Sequence, residues 1–276
     1  RVEVKTFPGG QLGNPAAILE GVQLGTIEAY AIPADFYVGA DPRFGVFSIP
    51  FLFRDAAHAD KTLADPELNS YLMTMAESKG LVGVGMRVAA ESMYFGGKNP
   101  IRTLADFKGR KLRVNATPAE RARMAALGAT AVPMGLQEMI TSLQSGVIDG
   151  TMSGISIYTN FNLQNVGKVL LETDDTLLVA YICLSKVWLD KLPADLRKIV
   201  VDEARKLQGW AQETAVAEGK ELRKVWKDRG GELVRLPAAE QKELEKRLKP
   251  IGVEVTKDNP VLKAFYEKLQ TTAAKY

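Results

Sequence analysis

A short strand leads directly into a helix at residues 111–128, which read KLRVNATPAERARMAALG. Apolar and charged residues alternate over 111–114, as they do in a strand with one buried face. Residues 117–120, TPAE, form a capping box with proline at the first helical position, so a helix begins there. Gly128 ends that helix. A strand that passes straight into a helix is the basic unit of an α/β sheet.

The same alternation of helix and strand continues on both sides of this unit. Helices are predicted at 14–24, with Asn14 as the N-cap, at 56–79 and at 136–145, and strands begin near Thr26, Leu81 and Val147. The alternation predicts an α/β fold with mostly parallel sheets.

Two distant segments follow the same order of helix, glycine and strand. They read ILEGVQLGTIEA at 18–29 and MITSLQSGVIDG at 139–150. Their spacing of about 120 residues is too long for a solenoid repeat, so the similarity predicts two similar lobes. A length of 276 residues is also more than one compact core usually needs.

The longest predicted helix follows Pro193 and runs from about Ala194 to Arg229, where two glycines end it. At 1.5 Å per residue it would be on the order of 50 Å long, which exceeds the width of one small lobe. We therefore expect this helix to cross both lobes, with Trp210 and Trp226 as core anchors along it.

The composition disfavours several classes of protein. The net charge of +3 is spread over basic residues that alternate with acids in the late helices, unlike the basic stripe of a nucleic-acid-binding protein. No run of 18 apolar residues is present to span a membrane. One histidine, His58, and one cysteine, Cys183, do not make a zinc site, and no nucleotide-binding or hydrolase motif occurs. We expect no cofactor and no metal, a buried thiol at Cys183, and a surface or packing role for His58.

The chain opens with RVEVK at 1–5, which alternates like a strand that is already under way. No signal peptide is present in the sequence. We expect that a signal peptide, a first strand and a first helix precede residue 1.

Arg113 is the strongest candidate for a binding residue. It lies near the C-terminal end of a strand and just before a capped helix, where open α/β sheets hold their ligands. The helix N-terminus adds partial positive charge, and the guanidinium offers a two-pronged match to a carboxylate. A surface arginine paired with a local acid such as Glu120 fits equally well, so these residues alone leave both interpretations open.

Six segments occur in an order that resembles one family of binding proteins. They are FPGGQLG (7–13), GTIEA (25–29), FSIPFLF (47–53), IRTLADFKGRKLRV (101–114), LGATAVPM (127–134) and LQSGVIDG (143–150). Together they are similar to the DctP-type substrate-binding proteins of tripartite ATP-independent periplasmic (TRAP) transporters. The combination of KGRKLRV, LGATAVPM and SLQSGVIDG is the specific part of the resemblance.

The resemblance implies a binding site around Arg113, because the arginine of the family's K-x-R-V strand binds the ligand carboxylate. Ser153 stands where the family often has an asparagine that helps to hold the same carboxylate. Leu136 stands at a position that commonly lines the pocket.

One departure from the family bears on the ligand. Members that bind sialate carry a second arginine at the position where this chain has Met93. The stretch that contains Glu91, Met93 and Tyr94 is either a hinge strand or an apolar and aromatic pocket wall. A second carboxylate beside Met93 would be costly to bury. We therefore expect a monocarboxylate with a hydrophobic or aromatic body, rather than sialic acid or a C4-dicarboxylate.

The family implies a two-lobed clamp of the periplasmic-binding-protein type, with the long helix spanning both lobes. The first lobe would comprise residues 1–90 and 179–218, and the second lobe residues 91–178 and 219–276. Such a protein captures a small carboxylate and delivers it to a TRAP membrane permease. We expect a periplasmic monomer that does no chemistry on its ligand and binds no nucleic acid.

Two other classes of protein stay open. One is a binding module that senses a ligand for a signalling partner. The other, less favoured, is an α/β enzyme that acts on an organic acid, with Asp149 or Glu91 as its general base.

Overall fold

The computed structural model describes residues 2–115 and 117–276, with the backbone alone for residues 89–92 and residue 212. The strands in these ranges are β1 (Ala29–Pro33), β2 (Leu81–Gly97), β3 (Lys111–Val114), β4 (Thr130–Pro133), β5 (Gly150–Ser153), β6 (Val169–Ser185) and β7 (Glu232–Arg235). The α-helices are α1 (Pro15–Leu24), α2 (Ala56–Leu63), α3 (Pro66–Thr74), α4 (Pro118–Ala126), α5 (Leu136–Ser145), α6 (Ile155–Asn160), α7 (Lys186–Leu189), α8 (Ala194–Asp228), α9 (Ala238–Leu248), α10 (Ile251–Thr256) and α11 (Pro260–Ala273).

The strands form one mixed sheet in the order β1-β6-β2-β5-β3-β4, with β7 beside β6. β3 runs parallel to β4 and β5, and β7 runs parallel to β6. The pairs β1–β6, β6–β2 and β2–β5 are antiparallel. The expectation of mostly parallel sheets is therefore wrong, because the two long strands run in opposite directions through the centre of the sheet.

β2 and β6, with 17 residues each, connect the two halves of the sheet. Between the pairs Tyr94–Glu172 and Ser92–Leu177, residues 173–176 of β6 lie opposite a single residue of β2. Asp174 within this segment has a φ of 53°, in the left-handed region that few residues other than glycine adopt. We call residues 173–176 the hinge bulge, because a bulge of this kind bends a strand and interrupts its ladder.

The predicted elements around Arg113 are confirmed. β3 covers residues 111–114, and the capping box of α4 forms as expected. The hydroxyl of Thr117 accepts from the backbone of Glu120 at 3.1 Å, and the Glu120 carboxylate accepts from the backbone of Thr117 at 3.0 Å. The predicted helix at 136–145 is also confirmed as α5.

Two other predicted elements differ from the structure. The single helix predicted at 56–79 is two helices, because Asp65 caps α3 and Pro66 begins it. Proline has no N–H to continue a helix from the preceding turn. The strand expected at 1–5 does not form over residues 2–5, which have no regular secondary structure and are exposed.

The long helix is confirmed as α8, which has 35 residues. It contacts the first half of the sheet where Arg87 Nε donates to the carbonyl of Ala211 at 3.3 Å. In the other half Trp226 is fully buried and packs edge-on against Tyr158, with ring centroids 6.0 Å apart. Trp210 is 64% exposed, so its expected role as a core anchor is wrong. No helix in the described ranges is long and apolar enough to cross a membrane.

The last helix, α11, packs against aromatic residues from much earlier in the chain. Phe265 of α11 packs against Phe47 and Tyr71, with ring centroids 5.9 and 5.6 Å away. These partners belong to the residues that the sequence assigned to the first lobe, whereas 219–276 was assigned to the second. We propose that α11 belongs with the first lobe.

A buried ion pair ties α4 to the hinge bulge. Arg123 and Asp175 are 1% and 2% exposed, and a terminal nitrogen of Arg123 donates to the Asp175 carboxylate. The Thr173 hydroxyl donates to the same carboxylate. The guanidinium also lies over the ring of Phe95 at 4.8 Å. Burial lowers the pKa of Arg123, and the charge of Asp175 opposes that effect.

Removing one partner of this pair should be strongly destabilising. Asp175→Asn leaves a buried cation without its counter-charge, so the free energy of unfolding should fall by about 3–5 kcal/mol. Urea denaturation followed by circular dichroism measures this loss. Asp228→Asn, which breaks the exposed Lys224–Asp228 pair, should change it by less than about 1 kcal/mol. Equal losses from the two substitutions would show that the buried pair contributes no more to the free energy of unfolding than an exposed pair does.

Candidate functional site

Three parallel strands end together around Arg113. Arg113 is aligned with Val132 of β4 and with Thr151 of β5. Its Nε donates to the carbonyl of Met134 at 3.1 Å, and its Nη1 lies 3.5 Å from the hydroxyl of Ser153. The side chain is thus fixed at the carboxyl ends of the strands, where open α/β sheets bind ligands.

Arg113 is a buried cation, since it is only 4% exposed. Burial lowers the pKa of its guanidinium, and the negative charges of Glu120 and Asp35 oppose this at a distance. A guanidinium has five N–H donors, and the described residues accept from Nε and Nη1 only. Within the described ranges no carboxylate forms an ion pair with it. The site therefore has an unused cation of the kind that binds a carboxylate.

Glu120 does not fill that role, although the sequence left the possibility open. Its carboxylate accepts from the backbone N–H of Asn115 at 3.2 Å and of Thr117 at 3.0 Å, and from the Thr117 hydroxyl at 3.1 Å. These contacts hold it at the start of α4. An ion pair between Glu120 and Arg113 is absent from the part of the chain that the structure describes.

Asp35 faces Arg113 and Glu120 from the other half of the molecule. It lies in a short 3-10 segment after β1, and its Oδ2 accepts from the side-chain amide of Asn115 at 2.9 Å. The hydroxyl of Ser48 donates to its Oδ1. Burial, and then the nearby charge of Glu120, raise the pKa of Asp35 from its ordinary 3.8 to about 7. Asn115 directly follows β3, so its hydrogen bond to Asp35 joins the end of β3 to the segment after β1.

The space left between the two sides is small. A cavity of about 10 Å³ is lined by Asp35, Ser48 and Glu120 together with Met93 and Met152. That volume is enough for about one water molecule. This cavity alone is therefore too small for an organic ligand.

The structure brings together most of the predicted site residues. Ser153 contacts Arg113 directly, and its hydroxyl lies 3.1 Å from that of Thr151. Leu136 begins α5 two residues after the carbonyl that holds Arg113. Met93 lines the cavity between the halves. Glu91 lies outside the described side chains.

Tyr94 is not part of this group. Its hydroxyl donates to Glu172 at 3.2 Å and accepts from Arg223 at 2.7 Å, so it points towards α8. Neighbouring residues of a strand point to opposite faces, and Met93 already faces the cavity. The same alternation could have separated the two residues in the sequence.

Asp35 and Asn115 were missed in the sequence. Asn115 follows β3 immediately, so the rule for strand ends could have found it. Asp35 lies in an irregular segment with no periodic pattern, and its position depends on how the two halves meet.

Comparison with known proteins identifies the family. Residues 1–258 match DctP, the bacterial extracellular solute-binding protein family 7. The chain belongs to this family. The 2,3-diketo-L-gulonate-binding periplasmic protein YiaO of Escherichia coli is 28% identical over 233 residues, which make up 84% of this chain and 71% of YiaO.

Solved structures show the same fold. The sugar acid binding protein DctPAm of Advenella mimigardefordensis, in complex with galactonate, has a TM-score of 0.91 at 25% identity and covers 99% of this chain and 87% of its own. A TRAP periplasmic solute binding protein from Desulfovibrio salexigens, with bound orotic acid, has a TM-score of 0.87 at 27% identity, covering 98% and 88%. This chain is thus a solute-binding receptor with the two-lobed fold of these neighbours, and the family is extracytoplasmic.

The raised pKa of Asp35 makes a testable contribution to stability. Because the folded protein binds this proton more tightly than the unfolded chain does, ionisation of Asp35 opposes folding. The penalty is absent below about pH 4, grows as the pH rises, and is complete above about pH 7. Asp35→Asn cannot ionise, so its free energy of unfolding relative to the wild type should rise with pH across this range and then level off.

Urea denaturation at several pH values measures that difference. Asp258→Asn, at an exposed position, serves as the control for the effect of the substitution itself. A flat profile for Asp35→Asn would mean that Asp35 ionises as readily in the folded protein as in the unfolded chain.

Proposed function

We propose that this DctP protein holds the carboxylate of a small organic acid on Arg113 and delivers that acid to a TRAP-type membrane permease. The observation that carries the proposal is the buried guanidinium of Arg113, which has no carboxylate partner in the described structure. Ser153 adds a hydroxyl donor to the same carboxylate, and Leu136 and Met93 provide the walls.

The two sides of the site favour a particular kind of acid. Met93 and Met152 present apolar surface, while Asp35 and Asn115 present hydrogen-bonding groups. Each oxygen of the Asp35 carboxylate accepts one hydrogen bond and can accept another. A monocarboxylate with one flat or apolar face and several O–H or N–H donors fits both sides. Among the ligands of relatives, orotate is a flat acid with N–H donors, and galactonate is a monocarboxylate with several O–H donors.

The partners follow from the family. We propose that the receptor works as a monomer in the periplasm, with a permease as its membrane partner and no role in binding nucleic acid. A relative that is itself periplasmic supports the location. The mixed charge of the late helices supports the absence of a nucleic-acid surface.

Of the two bases that the sequence offered for an enzymatic role, Glu91 lies outside the described side chains and Asp149 lies away from Arg113. The Asp149 carboxylate accepts from the backbone of Lys111 at 2.7 Å, at the beginning of β3. Arg113 lies near the C-terminal end of β3, and the site lies beyond that end of the strand. Asp149 therefore lies behind the site, where it cannot take a proton from a bound acid.

Substitution of Arg113 tests the proposal directly. Arg113→Ala should weaken binding of the acid at least tenfold, because a buried carboxylate loses a charge-assisted partner worth about 1.5–3 kcal/mol. Arg113→Lys should also bind poorly, since an ammonium lacks the planar fork. Calorimetry with D-galactonate and orotate measures the affinities, and Arg121→Ala, at an exposed position of α4, is the matched control. Unchanged affinity in Arg113→Ala would remove this residue from the site.

The class of acid can be tested by competition. Orotate and D-galactonate should bind more tightly than phenylacetate, because they offer donors to Asp35 and Asn115. All three should bind more tightly than succinate, whose second carboxylate would lie near Asp35 and Glu120 and the apolar methionines. Displacement calorimetry gives the order. Preferential binding of succinate would reveal a second cation that these residues do not provide.

A further inference from the structure

A second and larger cavity lies beside the hinge bulge. Its volume is about 530 Å³, which is within the range of small-molecule sites. None of Arg113, Ser153 and Asp35 lines it. Its walls come from the loop before α2, from the hinge bulge, from one face of α8 and from the end of β7, and they comprise Phe53, Arg54, Asp55, Ala56, Glu172, Asp174, Thr176, Leu177, Val216, Lys220, Arg223 and Arg235.

Two of the three acidic residues in this wall pair with arginines, and the third, Asp55, accepts from the backbone of His58 at 2.8 Å. Glu172 is 4% exposed and accepts from Arg223 at 2.9 Å and from Arg235 at 2.8 Å. Burial favours the neutral form of Glu172, but the two arginines outweigh it and lower its pKa. Asp174 pairs with Arg235 at 2.6 Å.

Two cations in the same wall have no counter-charge. Arg54 and Lys220 form no ion pair with any residue that the structure describes. They come from different elements, since Arg54 precedes α2 and Lys220 lies on α8 between Val216 and Arg223. Residues 216, 220 and 223 are spaced to share one helix face, so α8 directs Lys220 towards the cavity.

The loop that carries Arg54 is held rigidly. The backbone N–H of Arg54 donates to Nδ1 of His58 at 3.0 Å, and Asp55 accepts from the backbone of His58 at 2.8 Å. Nδ1 is therefore an acceptor, which leaves Nε2–H to donate to the carbonyl of Ala273 at 2.9 Å. His58 thus ties the rim of the cavity to the end of α11, and a rigid rim lowers the entropic cost of binding there.

We propose that this hinge cavity is a second binding site, for a small oxyanion with two or more negative charges. Arg54 and Lys220 supply the unpaired positive charge. The side chain of Arg235 is 62% exposed, so its guanidinium can also direct an N–H donor towards the anion. A cation is disfavoured, because Glu172 and Asp174 already have arginine partners and Asp55 caps α2. An uncharged ligand would leave the two cations unpaired.

An anion in this position would touch both halves of the molecule. Arg54 belongs to the first half, Arg235 to the second, and Lys220 to the helix that spans them. The wall also shares Thr176 and Leu177 with the small cavity next to Met93. Any ligand that binds one arrangement of the lobes better than another shifts the equilibrium between them, so occupancy of the hinge cavity is expected to alter affinity at Arg113.

The test uses sulfate, inorganic phosphate and citrate, titrated separately into the purified chain at constant ionic strength and followed by calorimetry. At least one of them should bind saturably. Arg54→Gln combined with Lys220→Gln should weaken that binding at least tenfold. Lys242→Gln combined with Lys257→Gln removes two exposed lysine charges that lie outside the cavity wall and form no ion pair among the described residues. This double variant should leave the binding within twofold. Circular dichroism confirms that each variant is folded.

Three results would overturn the proposal. They are no saturable binding of any of the three anions, an equal loss in the two double variants, and a loss in Arg113→Ala alone, which would put the anion in the interlobe site. The outcome is independent of the role proposed for Arg113, because that role fails only if Arg113→Ala keeps its affinity for organic acids.

Discussion

The desolvated guanidinium of Arg113 is the constraint on which the site depends. Removing a cation from water costs several kcal/mol unless an anion and good hydrogen bonds replace the water. Arg123, on the next helix, is as deeply buried and has Asp175 as its partner. Arg113 has a carbonyl and a hydroxyl instead. The protein neutralises one of these arginines itself and leaves the other without a counter-charge, so an acid bound at Arg113 should stabilise the protein.

Asp35 partly compensates for that missing charge when no acid is present. It lies across the cleft, is held by Ser48 and Asn115, and acts on Arg113 at a distance. A ligand carboxylate at Arg113 places another negative charge close to Asp35 and Glu120. That addition favours the protonated form of Asp35 further. Capture of an acid at Arg113 should therefore be accompanied by some uptake of protons near neutral pH.

The sequence predicted well wherever the signal is local. The cap at Thr117, the proline after it and the strand of Arg113 depend on residues close together in the chain, and all were confirmed. Trp210 was misplaced because an apolar stripe shows which residues can be buried but not which part of a long helix finds a partner. The direction of the central strands was wrong because pairing between β2 and β6 joins segments far apart in the chain. Asp35 was not predicted for the same reason, since its place in the site depends on a hydrogen bond with Asn115, which is far away in the chain.

The hinge bulge interrupts the continuous sheet between its two halves. A regular hydrogen-bond ladder through residues 173–176 would fix the angle between the two halves of the sheet, because each pair of residues positions the next. Here the ladder is interrupted, and the bulge is held by contacts from both sides instead. Asp175 pairs with Arg123 of the second half, and its carbonyl accepts from the backbone of Phe51 in the first at 2.6 Å. A change in the angle between the halves must alter these contacts, so the strength of the buried pair at the hinge and the ease of closing on an acid are set by the same few residues.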